Sequence, residues 1–256
     1  MNRIEKAFKN KKAFIAFITG GDPDIETTEK LILEMAESGV DLIEIGVPFS
    51  DPVAEGPVIQ GADERALRAG CTVDKLFDMI ARVRGKTDIP LLFMSYINPV
   101  FVYGKEKFMQ RCAESGVDGI IVPDLPFEEK GELSGECGKY KIAQISLIAP
   151  TSGERAEMIA KESEGFIYCV SSLGVTGVRG EIGTDITGMT ARIRRVSDTP
   201  CAVGFGISTP EQAKEMAAVS DGVIIGSAIV KIIAEHGRDC MEPVKKFVRE
   251  IKAALV

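Results

Sequence analysis

The sequence predicts a closed (β/α)8 barrel, and three observations predict it. Short apolar runs rich in β-forming residues recur eight times, and longer amphipathic stretches lie between them. In addition, the hexapeptide Ala36-Glu37-Ser38-Gly39-Val40-Asp41 returns unchanged as Ala113-Glu114-Ser115-Gly116-Val117-Asp118. Parallel strands buried on both faces read as continuous apolar runs, and alternation with helices is what βαβ units require. Eight such units in about 250 residues is the count of a TIM-type barrel. The alternative is an open doubly wound sheet, which turns on a reversal of strand order that a sequence does not display.

Taken in order, Asn2 to Lys9 predicts a helix ahead of the first strand. Strand candidates follow at Ala13 to Thr19, Leu42 to Ile45, Pro90 to Ser95, Gly119 to Val122, Ala143 to Ala149, Gly165 to Val170, Cys201 to Phe205 and Asp221 to Ile225. Helical periodicity marks Glu26 to Glu37, Glu106 to Glu114, Glu128 to Tyr140, Glu154 to Glu162 and Pro210 to Ala217, and Met241 to Leu255 reads as a closing helix. In the repeated hexapeptide, Gly39 and Gly116 stand where a helix C-cap is wanted, so shared turn chemistry explains much of the match. Residues 1–256 are thus expected to form one barrel domain with an extra N-terminal helix.

Composition narrows the function. The 256 residues are 45% hydrophobic and carry a net charge of -7 with no basic block, which removes the electrostatic footprint of a nucleic-acid binder. The first apolar run is too short to span a membrane, and Gly20-Gly21-Asp22-Pro23 follows where a signal-peptide cleavage site would stand, so the cytoplasm is expected. Six scattered cysteines, with no C-x-x-C pair, read as buried thiols in a reducing compartment. His236 is the only histidine, which excludes a multi-histidine zinc site and leaves little from which to build a Ser-His-Asp apparatus.

In such a barrel the chemistry sits where strands end. Glu44 interrupts the apolar run Asp41-Leu42-Ile43-Glu44-Ile45-Gly46, and burial there would raise its pKa toward the range of a group that gives and takes protons. A structural glutamate satisfied by hydrogen bonds is the competing reading. The loop from Val47 to Pro57 holds Asp51 and Glu55, which serve function or merely shape a turn. Gly174-Val175-Thr176-Gly177, Gly204-Phe205-Gly206-Ile207-Ser208 and Gly226-Ser227 follow the last three strands and suit a phosphate held on backbone N–H groups.

The run Glu44 to Gln60 resembles the signature of tryptophan synthase α subunits, as do Phe17 to Pro23, Tyr96 to Pro99, Val122 to Pro126, Leu173 to Gly177, Val203 to Ser208 and Gly226 to Val230, so the resemblance covers nearly the whole chain. It implies a lyase that cleaves indole-3-glycerol phosphate by retro-aldol chemistry to indole and glyceraldehyde 3-phosphate, with no cofactor or metal of its own. It implies Glu44 as the acid/base and Glu55 as the carboxylate that holds the indole N–H; family members commonly carry aspartate at that second position, one methylene shorter. By the same resemblance the phosphate rests on Gly177, Gly206, Gly226 and Ser227, and Phe17, Tyr96, Tyr168 and Phe205 form the indole pocket. The Leu173 to Gly183 loop is the implied lid, reaching the site through Thr176, and a pyridoxal-phosphate-dependent β subunit is the implied partner in an α2β2 complex. Other phosphate-binding barrels lack the Glu44 and Pro48 to Gly56 combination, and no strand ends in a Schiff-base lysine. The remaining alternative is a non-catalytic or weakly catalytic barrel that mainly binds and activates a partner enzyme.

Overall fold

The computed structural model describes residues 1–170, 186–204 and 206–255. Its eight strands are β1 (Ala13–Thr19), β2 (Leu42–Gly46), β3 (Leu91–Met94), β4 (Gly119–Ile121), β5 (Ala143–Ile148), β6 (Ile167–Val170), β7 (Cys201–Gly204) and β8 (Gly222–Ile225). They run parallel in chain order, and β8 pairs back onto β1 to close the barrel. This excludes the open-sheet alternative.

Helices alternate with the strands: α1 (Arg3–Phe8), α2 (Ile25–Ser38), α3 (Pro57–Arg68), α4 (Val73–Arg84), α5 (Ile97–Tyr103), α6 (Lys105–Ser115), α7 (Gly131–Tyr140), α8 (Arg155–Lys161), α9 (Ile186–Arg194), α10 (Pro210–Val219), α11 (Ser227–His236) and α12 (Met241–Ala254). The stretch Glu128 to Tyr140, expected as one helix, is instead a 3-10 turn at Phe127–Glu129 followed by α7. The junction falls at Lys130, and Gly131, whose backbone freedom weakens a continuous helix, opens α7. Gly39 and Gly116 end α2 and α6 with φ of 112° and 89°, the left-handed cap their position suggests.

Every residue of β1 is buried, because one face meets the helices and the other fills the barrel. Inward-facing Ile15, Leu42, Leu92, Ile121, Ile145 and Ile224 pack together inside, and α1 plugs this interior from below through Ile4 and Ala7. The larger part of the core lies between strands and helices. Asn2 caps α1 in a reciprocal box with Glu5, which holds the plug in helical form.

At the bottom mouth a regular arrangement repeats. Carboxylates at the heads of even strands accept from backbone N–H groups of the preceding odd strands: Asp41 from Phe14 (2.8 Å), Asp118 from Leu91 (2.9 Å), Glu164 from Gln144 (3.1 Å) and Asp221 from Cys201 (2.9 Å). Cations close three of these clasps, with Lys11 and Lys252 on Asp41, Arg3 and Arg84 on Asp118, and Arg194 on Asp221. The hexapeptide repeat is therefore more than a turn, since its final aspartate makes the same clasp in both copies.

Candidate active site

At the opposite mouth, the C-terminal ends of the strands surround a small, largely apolar pocket. Phe17, Met94, Leu147, Tyr168 and Ile224 from five strands form its apolar wall, with Ile59 of α3. Gly206, Gly226 and Ser227 bound one side, and Glu55 bounds another. The tyrosine reaches its place because Gly204 has no side chain: a Cβ there would lie 2.5 Å from the Tyr168 hydroxyl oxygen. Gly226 directly precedes the ten-residue helix α11, so that helix presents its N-terminal N–H groups to the pocket beside Ser227.

Glu44 lies in the middle of β2, flanked on the ladder by Phe17 and Leu92. Leu42 of the same strand packs inside the barrel, and Ile43 and Ile45 pack against the helices, so the period of two turns Glu44 inward. It is fully buried, and neither carboxyl oxygen has a hydrogen-bond partner among the described residues. Burial, and then the negative charge of Glu55, push its pKa up to about 8. A structural glutamate would hold its oxygens in hydrogen bonds, and the described residues offer Glu44 none.

The loop after β2 holds Glu55, which is 7% exposed. The Ala54 N–H donates to the Tyr96 hydroxyl oxygen at 2.8 Å, and the Gln60 amide donates to the Glu55 carbonyl at 2.8 Å. Asp51 accepts from its neighbour Ser50 on the exposed outer part of the same loop. Arg65 anchors α3 by a two-pronged ion pair to buried Asp22 in the loop after β1, with both contacts at 2.8 Å.

Among the residues expected from sequence, Phe17, Tyr168, Glu55, Gly206, Gly226 and Ser227 meet around one pocket, and the charge of Glu44 acts on both Glu55 and Tyr168. Tyr96 is placed differently: its ring packs on Phe49 and its hydroxyl supports the Glu55 loop, so it lines a smaller neighbouring cavity rather than the main pocket. Thr176, Gly177 and Phe205, together with the Leu173 to Gly183 loop, lie outside the described residues. Asp63 of α3 was not foreseen. It is 5% exposed, lines the smaller cavity with Glu55, and is pushed up to about 8 by burial and then by Glu55 and Asp22. A signal for it existed, because Ile59, Ala62, Asp63 and Ala66 share the buried stripe of α3.

The described residues contain no group of three or more His, Cys, Asp or Glu placed to hold a metal ion, and no helix long and apolar enough to cross a membrane. The family model for the tryptophan synthase alpha chain matches residues 4–255. The alpha chain of Lacticaseibacillus casei is 47% identical over 255 residues, a match covering all of this chain and 96% of that one. The crystal structure of tryptophan synthase subunit alpha from Legionella pneumophila superposes with a TM-score of 0.89 at 35% identity, covering 100% of this chain and 98% of that chain. A chain from the tryptophan synthase a2b2 complex of Pyrococcus furiosus gives 0.88 at 36% identity, covering 95% and 99%. A full-length match in sequence and fold, with buried Glu44 beside a pocket bounded by Glu55 and a helix N-terminus, establishes that the chain belongs to the tryptophan synthase alpha chain family.

Proposed function

We propose that Glu44 is the acid/base and Glu55 the charge-stabilising carboxylate of the family's lyase reaction, the cleavage of indole-3-glycerol phosphate to indole and glyceraldehyde 3-phosphate. The observation that carries this assignment is the buried Glu44 carboxyl beside an apolar pocket, with neither oxygen partnered among the described residues. Such a group has nothing to do for the fold and holds its proton near neutral pH.

The indole ring enters the apolar wall and the phosphate rests on Gly206, Gly226 and the N-terminus of α11 at Ser227. Glu44 gives its proton to indole C3, which makes the ring cationic at nitrogen. Glu55 accepts the indole N–H bond and stabilises that charge. Glu44, now a carboxylate, removes the proton from the glycerol hydroxyl on the adjacent carbon. The carbon–carbon bond breaks, its electrons return to the ring, and an aldehyde remains on the phosphate fragment. Glu44 ends protonated, as it began.

We place this work in the cytoplasm, where six free cysteines are at home, and assign a pyridoxal-phosphate-dependent β subunit as partner. The Pyrococcus furiosus relative comes from an a2b2 complex. Val53, Phe101 and Val102, at the same mouth as the pocket, are 77%, 45% and 80% exposed, which is apolar surface of the kind an interface covers. The test of the function is indole release by the purified chain, with and without the β subunit. Glu44→Gln should bind substrate and lose about 10²- to 10⁴-fold in indole formation; activity within about tenfold of wild type would remove Glu44 from the role. Asp51, on the exposed outer part of the Glu55 loop, is the candidate for passing the partner's effect to the site; equal stimulation of Asp51→Ala and wild type by the β subunit would exclude it from that role, and no stimulation of wild type would exclude the partner.

A further inference from the structure

The geometry points to Asp63 as a positioning residue for Glu55: a neutral carboxylic acid that shares a small cavity with Glu55 and leaves it as the single negative charge facing the indole nitrogen. The inference rests on the role given to Glu55 above.

A small cavity lies beside the main pocket and shares Phe17, Glu55, Ile59 and Met94 with it. Asp63 closes its α3 side, and its described lining contains no basic residue to neutralise a second carboxylate. Asp63 is itself 5% exposed, so water does not compensate the charge either. The groups facing it make matters worse. Glu55 comes from the loop above, and Asp22 from the loop after β1 is already matched by Arg65. Tyr96, between β3 and α5, is held neutral by burial, and on α11 the exposed Lys231 and Glu235 pair with each other. Two almost wholly buried carboxyls lining one small cavity cannot both ionise cheaply, so one proton is held between them.

Of the two, Glu55 also borders the main pocket, where an indole N–H supplies a partner for its charge, whereas Asp63 borders only the smaller cavity. Asp63 therefore keeps the proton, and the uncharged acid spares Glu55 a like-charge neighbour that would drive it from its place. Burial and the neighbouring carboxylates, which lift Asp63 to about 8, agree with this arrangement.

Indole is the probe, because it fills the aromatic subsite and cannot be turned over. Binding is measured in a Glu44→Gln background, which removes the other group titrating near neutrality, with glycerol 3-phosphate as the control ligand for the phosphate side. In that background indole affinity should fall about tenfold between about pH 7 and about pH 9 as Asp63 ionises. Asp63→Asn, which keeps the shape and cannot ionise, should abolish the fall and retain the affinity seen at pH 7. Glycerol 3-phosphate should bind alike in both. A fall unchanged by Asp63→Asn, or no fall in the parent, would overturn the inference. Turnover by Glu44→Gln would instead overturn the acid/base reading and leave the indole titration intact.

Discussion

Replacing Glu44 by glutamine is expected to stabilise the protein relative to wild type by an amount that grows over the pH range in which folding resists ionisation of the wild-type carboxyl. Burial, with the charge of Glu55 behind it, lifts this group from 4.5 to about 8. The folded chain thus binds the proton more tightly than the unfolded chain does. Stability is undiminished below the unfolded value, falls as pH rises through the window from 4.5 to about 8, and is flat beyond it. Each unit of pH inside that window costs about 1.4 kcal/mol, so the wild type loses about 2.7 kcal/mol through Glu44 between about pH 5.5 and about pH 7.5. Glutamine has nearly the same shape and no proton to lose. Asp63, also raised to about 8, imposes its own slope on both proteins and cancels in the comparison. Urea unfolding of both at the two pH values measures the effect: the gap between them should widen by roughly 2 to 3 kcal/mol, or about 5 to 10 °C in Tm for a chain of this size. Two parallel profiles, however far apart, would show that the carboxyl titrates normally and would remove the physical basis for its acid/base role.

Other perturbations test the surrounding parts. Glu55→Ala should lower kcat by about 10²-fold, with Glu55→Asp retaining measurable activity; wild-type rates in Glu55→Ala would move the second role elsewhere. Gly206→Asp places bulk and negative charge where a phosphate dianion is proposed to rest, so KM should rise at least about tenfold, and an unchanged KM would relocate the phosphate. Arg65→Ala strands the buried Asp22 carboxylate without its partner and should cost about 3 to 5 kcal/mol in urea unfolding, whereas a cost under about 1 would mean that Asp22 finds another partner. Tyr96→Phe removes the acceptor for the Ala54 N–H and should lower kcat about fivefold through the Glu55 loop; full activity would show that Gln60 alone suffices to hold it.

What the sequence disclosed follows from the range over which each feature is encoded. Strand β1 is legible to the residue, because seven consecutive buried side chains leave no other reading. The ends of β3 and β6 fall short of the apolar runs that announce them, since Pro90 offers no N–H to the ladder and Gly165 takes a positive φ of 69° before β6 begins. Glu44 stands out in one dimension as a charge inside an apolar strand. Tyr96 does not, because a pattern of residues states that an aromatic follows β3 and says nothing of where its hydroxyl points. Asp63 is visible only when the carboxylate is placed on the helical stripe with Ile59 and Ala66. The Asp22–Arg65 pair joins residues 43 apart, and no local pattern announces it.

The carboxylate clasps at the bottom mouth divide the eight strands into four couples, β1 with β2 and so on around the ring. Seams between couples and joints within them are therefore not equivalent places to open the chain. A circular permutant with new ends at Gly70, between α3 and α4, keeps β1 continuous with β2 and β3 continuous with β4. One opened at Gly104, between α5 and α6, severs β3 from the strand whose Asp118 caps it. Quarter-barrels bounded by the seams are the pieces this architecture offers for exchange with another barrel, each carrying its own fastening.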